Sequence, residues 1–222
     1  MSKGNPFDAN GAVNSAPIAD KPGQLYYVIG PSGSGKDSII TALREQFVDD
    51  LVVAHRYITR AANAGGENHV ELSEDEFFVR YSRNMFAMSW QAHGLCYGIG
   101  QEVHQWMDAG LSVVVNGSRA YLDAARNLFG DRLVPVVVSV KPEVLETRLR
   151  ARGRESEQEI ALRLKRAADY CVDSASGSAT LNNTLCIDNS GTLEQTIAQF
   201  SQLKHHAEQL ATQSTEKEGS MV

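Results

Sequence analysis

One run of residues has an evident chemical capacity: Gly30-Pro31-Ser32-Gly33-Ser34-Gly35-Lys36, which fits the spacing G-x-x-x-x-G-K. A β-rich apolar stretch from Gln24 to Ile29 precedes it, and Ile39, Ile40, Leu43 and Phe47 recur at helical spacing after it. Strand, loop and helix in that order are the context a phosphate cradle requires. Small residues let successive backbone N–H groups turn inward around a phosphate, and the helix start adds its positive dipole end. The Lys36 ammonium then reaches the β and γ oxygens of ATP. A plain glycine-rich turn is the bland reading; the coincidence of strand, glycines, lysine and helix favours the phosphate.

The next position departs from the pattern. The hydroxyl residue that usually follows the lysine and coordinates Mg²⁺ is replaced by Asp37, with Ser38 one residue later. Asp37 has an ordinary role open to it, as a first-turn acid complementing the helix dipole. A carboxylate beside a triphosphate is tolerable chiefly with a cation between them, because like charges about 4 Å apart repel by about 4 kcal/mol near a protein surface. Asp37 and Ser38 are therefore expected to hold Mg²⁺, directly or through water. A metal carboxylate expected at the end of a buried strand is also missing, since Val113-Val114-Val115 runs into Asn116-Gly117-Ser118, and Asp37 is expected to replace it.

The elements that must position these groups are legible as alternating strands and helices. Strands are expected at Leu51 to Thr59, Ser112 to Val115, Leu133 to Val140 and Leu185 to Ile187, the second and third being continuous apolar runs of the kind buried on both faces. Helices are expected from Pro142, from Glu157 to Tyr170 and from Thr192 to Leu203. This alternation predicts a doubly wound α/β fold, a parallel central sheet flanked by helices, with its ligand crevice at the carboxyl ends of the strands.

Composition narrows the partners. The 222 residues suit one domain, and 21 basic against 27 acidic residues leave a net charge of −6, so no global field draws the chain to nucleic acid or anionic lipid. No apolar run approaches the roughly 20 residues that span a bilayer. The three cysteines, Cys96, Cys171 and Cys186, lie far apart and signal neither a disulfide framework nor a zinc cluster, which points to the cytoplasm. Residues 1–23 and 205–222 read as polar tails around a core domain at 24–204, and a homodimer stays open.

The phosphate loop, Thr59-Arg60, Glu67, Phe86, His93-Gly94, Tyr97-Gly98 and the arginine-rich stretch from Arg148 to Arg166 together resemble the guanylate kinase family over about residues 25–200. The resemblance implies a P-loop kinase fold with an acceptor-binding region near residues 56–100 and a mobile lid near 150–165. It also implies that Arg60 and Tyr97 grip the acceptor's phosphate, with Thr59 beside them and His69 at another phosphate-binding position. Arg152 and Arg163 match the lid arginines, Arg148 is a further nucleotide contact, and Asn189 of Asp188-Asn189-Ser190-Gly191 sits where the fold meets adenine. Ordinary surface pairing with the interleaved Glu143, Glu146, Glu155, Glu157 and Glu159 is the alternative for the arginines.

The base-reading positions do not match. The family's guanine-reading glutamate aligns with Met88 and its hydroxyl residue with Ile99, so guanine's donors would go unpaired at roughly 1 to 3 kcal/mol each. Arg56, four residues before Arg60, and Arg119, after the Asn116-Gly117-Ser118 turn, add cationic groups and suggest an acceptor of phosphates and hydroxyls without a base. Residues 54–60, Asn68-His69 and 113–120 resemble a narrower group in the fold, the ribose 1,5-bisphosphate phosphokinases of phosphonate-degrading bacteria. That resemblance implies ribose 1,5-bisphosphate as acceptor, ATP as donor with Mg²⁺, and 5-phosphoribosyl 1-diphosphate as product. A guanylate kinase, or a catalytically silent module on the same fold, are the rival expectations. His55, His93 and His104 are expected to be core or surface residues without a role in the site.

Overall fold

The computed structural model describes residues 22–64, 69–153, 155–175 and 184–205, and in it the apolar runs divide between two sheets. The first has five strands, all paired in parallel, in the order β2 (Leu51–Val53), β7 (Ser112–Asn116), β1 (Leu25–Ile29), β8 (Leu133–Ser139) and β9 (Leu185–Asp188). Every residue of β1 is buried, because helices cover both faces of the strand. Tyr26 and Val28 pack with Ile39 and Leu43 of α1 (Lys36–Gln46) and with Phe200 of α7 (193–205). Leu25, Tyr27 and Ile29 face the opposite layer, with Met107 of α3 (Glu102–Asp108) and Phe129 of α4 (Leu122–Phe129). The expected parallel α/β architecture is present, and the phosphate loop leaves the carboxyl end of its central strand.

The second sheet has the order β4 (Val70–Glu71), β3 (Tyr57–Ile58), β6 (Leu95–Gly100), β5 (Phe86–Ala92), with β5 and β3 antiparallel to β6. Phe77 of α2 (Glu74–Ser82) stacks on Phe86 and ties that helix to it, with ring centroids 4.8 Å apart. The single strand expected over Leu51 to Thr59 is in fact two. Leu51–Val53 pairs with β7, Ala54 N–H still donates to the Val114 carbonyl at 3.0 Å, and Tyr57–Ile58 pairs with Gly98 and Tyr97 in the other sheet. The change of partner falls at His55-Arg56, two adjacent polar residues that interrupt the apolar run.

Beyond β8, α5 (Pro142–Arg152) opens with its proline in the first turn and stops at Gly153, which takes the left-handed conformation with φ 60°. Leu145 and Leu149 pack against Ile160 and Ala167 of α6 (Glu157–Ala175), a small apolar cluster of its own. Arg150 joins the two helices on the outside, pairing with Glu146 at 3.0 Å and with Glu157. Arg154, Glu67, Asn68 and both proposed tails beyond residues 22 and 205 lie outside the described residues.

Candidate active site

Loop geometry begins with Gly35, whose φ of 88° and close neighbour together demand glycine: an added Cβ would lie 2.4 Å from Asn189 Nδ2. Asn189 is 5% exposed and stands behind the loop. Its Nδ2 donates to the Ser34 carbonyl at 2.7 Å, its Oδ1 accepts from the Thr196 hydroxyl at 2.8 Å, and its backbone N–H donates to the Ser139 carbonyl at 2.9 Å. The amide expected to meet adenine thus also shapes the loop. At the loop's mouth the Lys36 ammonium donates to the carbonyls of Gly30 at 2.7 Å and Pro31 at 3.0 Å, which aims it across the turn.

Asp37 starts α1 and is exposed; Asn116, 9% exposed at the end of β7, donates its Nδ2 to Asp37 Oδ1 at 3.1 Å. The strand end that lacks a carboxylate thus orients one supplied by the helix. The turn that follows is fixed from beneath. Tyr27 Oη accepts from Ser118 N–H at 2.9 Å and donates to Ser118 O at 3.0 Å, and a Cβ on Gly117 would fall 2.3 Å from the tyrosine ring. Burial pushes the Tyr27 phenol up to about 12, so it stays a neutral donor and acceptor. Arg119 stands at the exit of this turn and borders the cleft.

On the acceptor side, His69 is 7% exposed and takes both contacts from Arg60: its Nδ1 lies 3.3 Å from Arg60 Nη2 and its Nε2 3.1 Å from the Arg60 carbonyl. The network fixes the tautomer, with Nδ1 accepting and Nε2 donating. His69 therefore orients Arg60 and does not border the cleft, and Arg60 keeps a buried Nε–H without a partner. Thr59, expected at the acceptor, instead locks β3 to β6: its hydroxyl accepts from Cys96 N–H at 2.9 Å. Tyr97 does border the cleft, stacked on Trp90 with centroids 5.5 Å apart, and the Arg56 guanidinium lies over the Tyr97 ring at 5.1 Å. Arg56 precedes β3 and is half-buried, while Ile58 within the strand is fully buried.

The arginines of α5 and α6 divide by helix phase. Arg148 holds a buried Nη1 without a partner, near Gly35, and Arg152 borders the cleft. Arg163 donates to the Ser32 hydroxyl at 2.5 Å and pairs with Glu155 at 3.3 Å, so α6 reaches over the loop. Arg148, beside Gly35 of the loop, and Arg60, at the cleft, each keep a buried N–H without a partner, donors suited to anions.

These groups converge on a cleft of about 390 Å³ bordered by Gly30, Ser32, Gly33, Gly35, Lys36, Asp37, Ser38, Arg56, Arg60, Tyr97, Arg119 and Arg152. Trp90, His93 and Asn116 border it as well and were missed by sequence reasoning. His93 sits at the β5–β6 turn with φ 51° and also borders a neighbouring cavity of about 570 Å³ with Arg163 and Arg166. A histidine before glycine in a hairpin was the available signal; Trp90 gave none, because a tryptophan in a strand ordinarily belongs to the core.

The guanylate kinase family model matches residues 23–205. The chain belongs to the guanylate kinase family. Among relatives, ribose 1,5-bisphosphate phosphokinase PhnN of Klebsiella pneumoniae is 50% identical over 193 residues, covering 86% of this chain and 98% of the relative. The protein of the same name from Thiobacillus denitrificans is 53% identical over 150 residues, covering 67% of this chain and 78% of its own. The crystal structure of guanylate kinase from Anaplasma phagocytophilum shares the fold with TM-score 0.60 at 17% identity, over 84% of this chain and 87% of that one. Family membership makes the chain a kinase of P-loop type. Met88 and Ile99, where the resemblance leads one to expect the base-reading positions, are 1% and 0% exposed and belong to the main apolar cluster.

Proposed function

We propose that the chain transfers the γ-phosphoryl group of ATP to ribose 1,5-bisphosphate, giving 5-phosphoribosyl 1-diphosphate and ADP. One observation carries the reading: a phosphate cradle and the cationic residues Arg56, Arg60 and Arg119 share a single cleft, while the positions that would read a purine are buried among apolar side chains. Relatives named for this reaction, half identical over most of the chain, support it.

The acceptor oxygen belongs to a phosphate that is ionised at neutral pH, so no side chain has to remove its proton. A P–O bond forms from that oxygen to the γ-phosphorus as the bond to ADP breaks. What the protein supplies is alignment and charge. Arg60, held by His69, and Arg119 grip the acceptor's phosphates; Lys36 and the loop N–H groups hold the donor; Arg152 and Arg163 offset the charge spread over the transferred group. Closure of α5 and α6 over the loop excludes water that would hydrolyse ATP.

Asp37 and Ser38 would hold Mg²⁺. A carboxylate oxygen fixed by Asn116 beside the lysine suits a hard cation that keeps phosphate and water ligands, and no cluster of three or more His, Cys, Asp or Glu competes for it among the described residues. When bound, the ion neutralises charge on the β and γ oxygens. Asp37→Ala is expected to raise the Mg²⁺ requirement sharply; an unchanged dependence contradicts the assignment. Phosphorus NMR of a reaction containing ATP, Mg²⁺ and ribose 1,5-bisphosphate should show the coupled doublets of a sugar diphosphate, and their absence would overturn the reading.

A further inference from the structure

The β5–β6 register sets two cross-strand pairs side by side on one face of the second sheet: Met88 opposite Ile99 and Trp90 opposite Tyr97. The first pair is sealed in the main apolar cluster, and the second borders the cleft. Trp90 lies parallel to Tyr97 within 2°, at 5.5 Å, and meets Tyr121 on the other sheet's side at 5.5 Å and 30°. With the Arg56 guanidinium over Tyr97, four planar groups form a column from the acceptor sheet to the segment after β7. A purine would need that space and polar partners along its edges. The column fills the space and offers, from Trp90, one polar atom, the indole N–H, which only donates.

We infer that Trp90 is a specificity-determining residue: its indole fills the level of the cleft where a base would lie and forms the wall against which the acceptor's sugar ring rests. The inference rests on the proposed reaction and goes beyond it by naming the element that selects the acceptor. An aromatic surface suits the C–H groups of a furanose, and the indole N–H suits a hydroxyl or phosphate oxygen. Arg60 and Arg119, bordering the same cleft, are then free of any base and left to the sugar's phosphates.

Trp90 and Trp106 are the two tryptophans of the chain, which gives the test a direct signal. Trp90→Ala is expected to raise the KM for ribose 1,5-bisphosphate about tenfold or more, with kcat within about threefold and the KM for ATP unchanged, the signature of lost binding to the acceptor alone. Trp90→Phe, which keeps a ring in the column, should stay within about threefold of wild type. An unchanged acceptor KM in Trp90→Ala, or an equal rise for ATP, overturns the inference. If that variant does not fold, emission decides. In Trp106→Phe protein, where Trp90 is the remaining indole, ribose 1,5-bisphosphate added without nucleotide should shift or quench the fluorescence, and a flat titration overturns the inference. A wild type that releases no ADP from this acceptor defeats the proposed reaction by itself; the emission titration then still decides whether a sugar bisphosphate rests on Trp90.

Discussion

Asn189 shows how one buried amide can set the shape of a binding loop. Its nitrogen and oxygen are both used, toward Ser34 and Thr196, so truncation leaves the buried Ser34 carbonyl without that donor, while the Thr196 hydroxyl falls back on the Thr192 carbonyl at 3.1 Å. Asn189→Ala is expected to lower stability by about 1 to 3 kcal/mol and to raise the KM for ATP while leaving that for the acceptor unchanged; urea unfolding and steady-state kinetics check both. Tyr27 acts likewise beneath the Gly117-Ser118 turn. Its phenol is raised to about 12 by burial, so the folded state holds the neutral form longer than the unfolded chain does. The resulting stability is fully present below pH 10 and is lost as pH rises toward 12, roughly 2 to 3 kcal/mol across that window. Tyr27→Phe should be less stable than wild type at pH 8 yet lose less between pH 10 and 12. Neither role is visible in the sequence, where Asn189 is expected at adenine and Tyr27 reads as one more apolar position in a strand. Lys36 was legible because its spacing from the glycines is itself the signal.

At the scale of elements, α5 and α6 sort their arginines by helix phase. Residues four apart share a face, so Arg148 and Arg152 turn toward the loop and cleft, while Arg150 turns outward to Glu146 and Glu157. The lid expected in the arginine-rich stretch comes from the family resemblance; which of its arginines face the cleft and which pair outward follows only from the phase of the helix. Arg152→Ala is expected to lower kcat about 100-fold with the KM for ATP changed by less than about threefold, and equal losses in both would contradict a role that arises on closure. Arg150→Ala removes only exposed, solvent-screened pairs, and kcat should stay within about twofold. Strands tell the opposite story. The run from Leu51 to Thr59 reads as one strand, yet its two halves belong to different sheets, and the break at His55-Arg56 is what carries Arg56 and Arg60 from the core sheet to the second sheet's side of the cleft.

For the whole molecule, the parallel sheet and the place of the phosphate loop were legible because β1, β7 and β8 are unbroken apolar runs and the loop falls at the end of the first. The acceptor side was half legible. Met88 and Ile99 stand in the sequence where base recognition is expected to be missing, but the neighbouring aromatic pair is a matter of cross-strand register, which places Trp90 beside Tyr97 and which no local pattern records. Two sheets bring the phosphate loop and the cationic side chains of Arg56, Arg60 and Arg119 to one cleft, and the proposed function requires that cleft to select an anionic sugar over a nucleotide. The most direct test is ADP release measured in parallel with ribose 1,5-bisphosphate, with GMP and with no acceptor. The account predicts kcat/KM for the sugar bisphosphate about 100-fold or more above that for GMP, and a no-acceptor rate near background. Turnover of GMP equal to or faster than that of the sugar bisphosphate would contradict it.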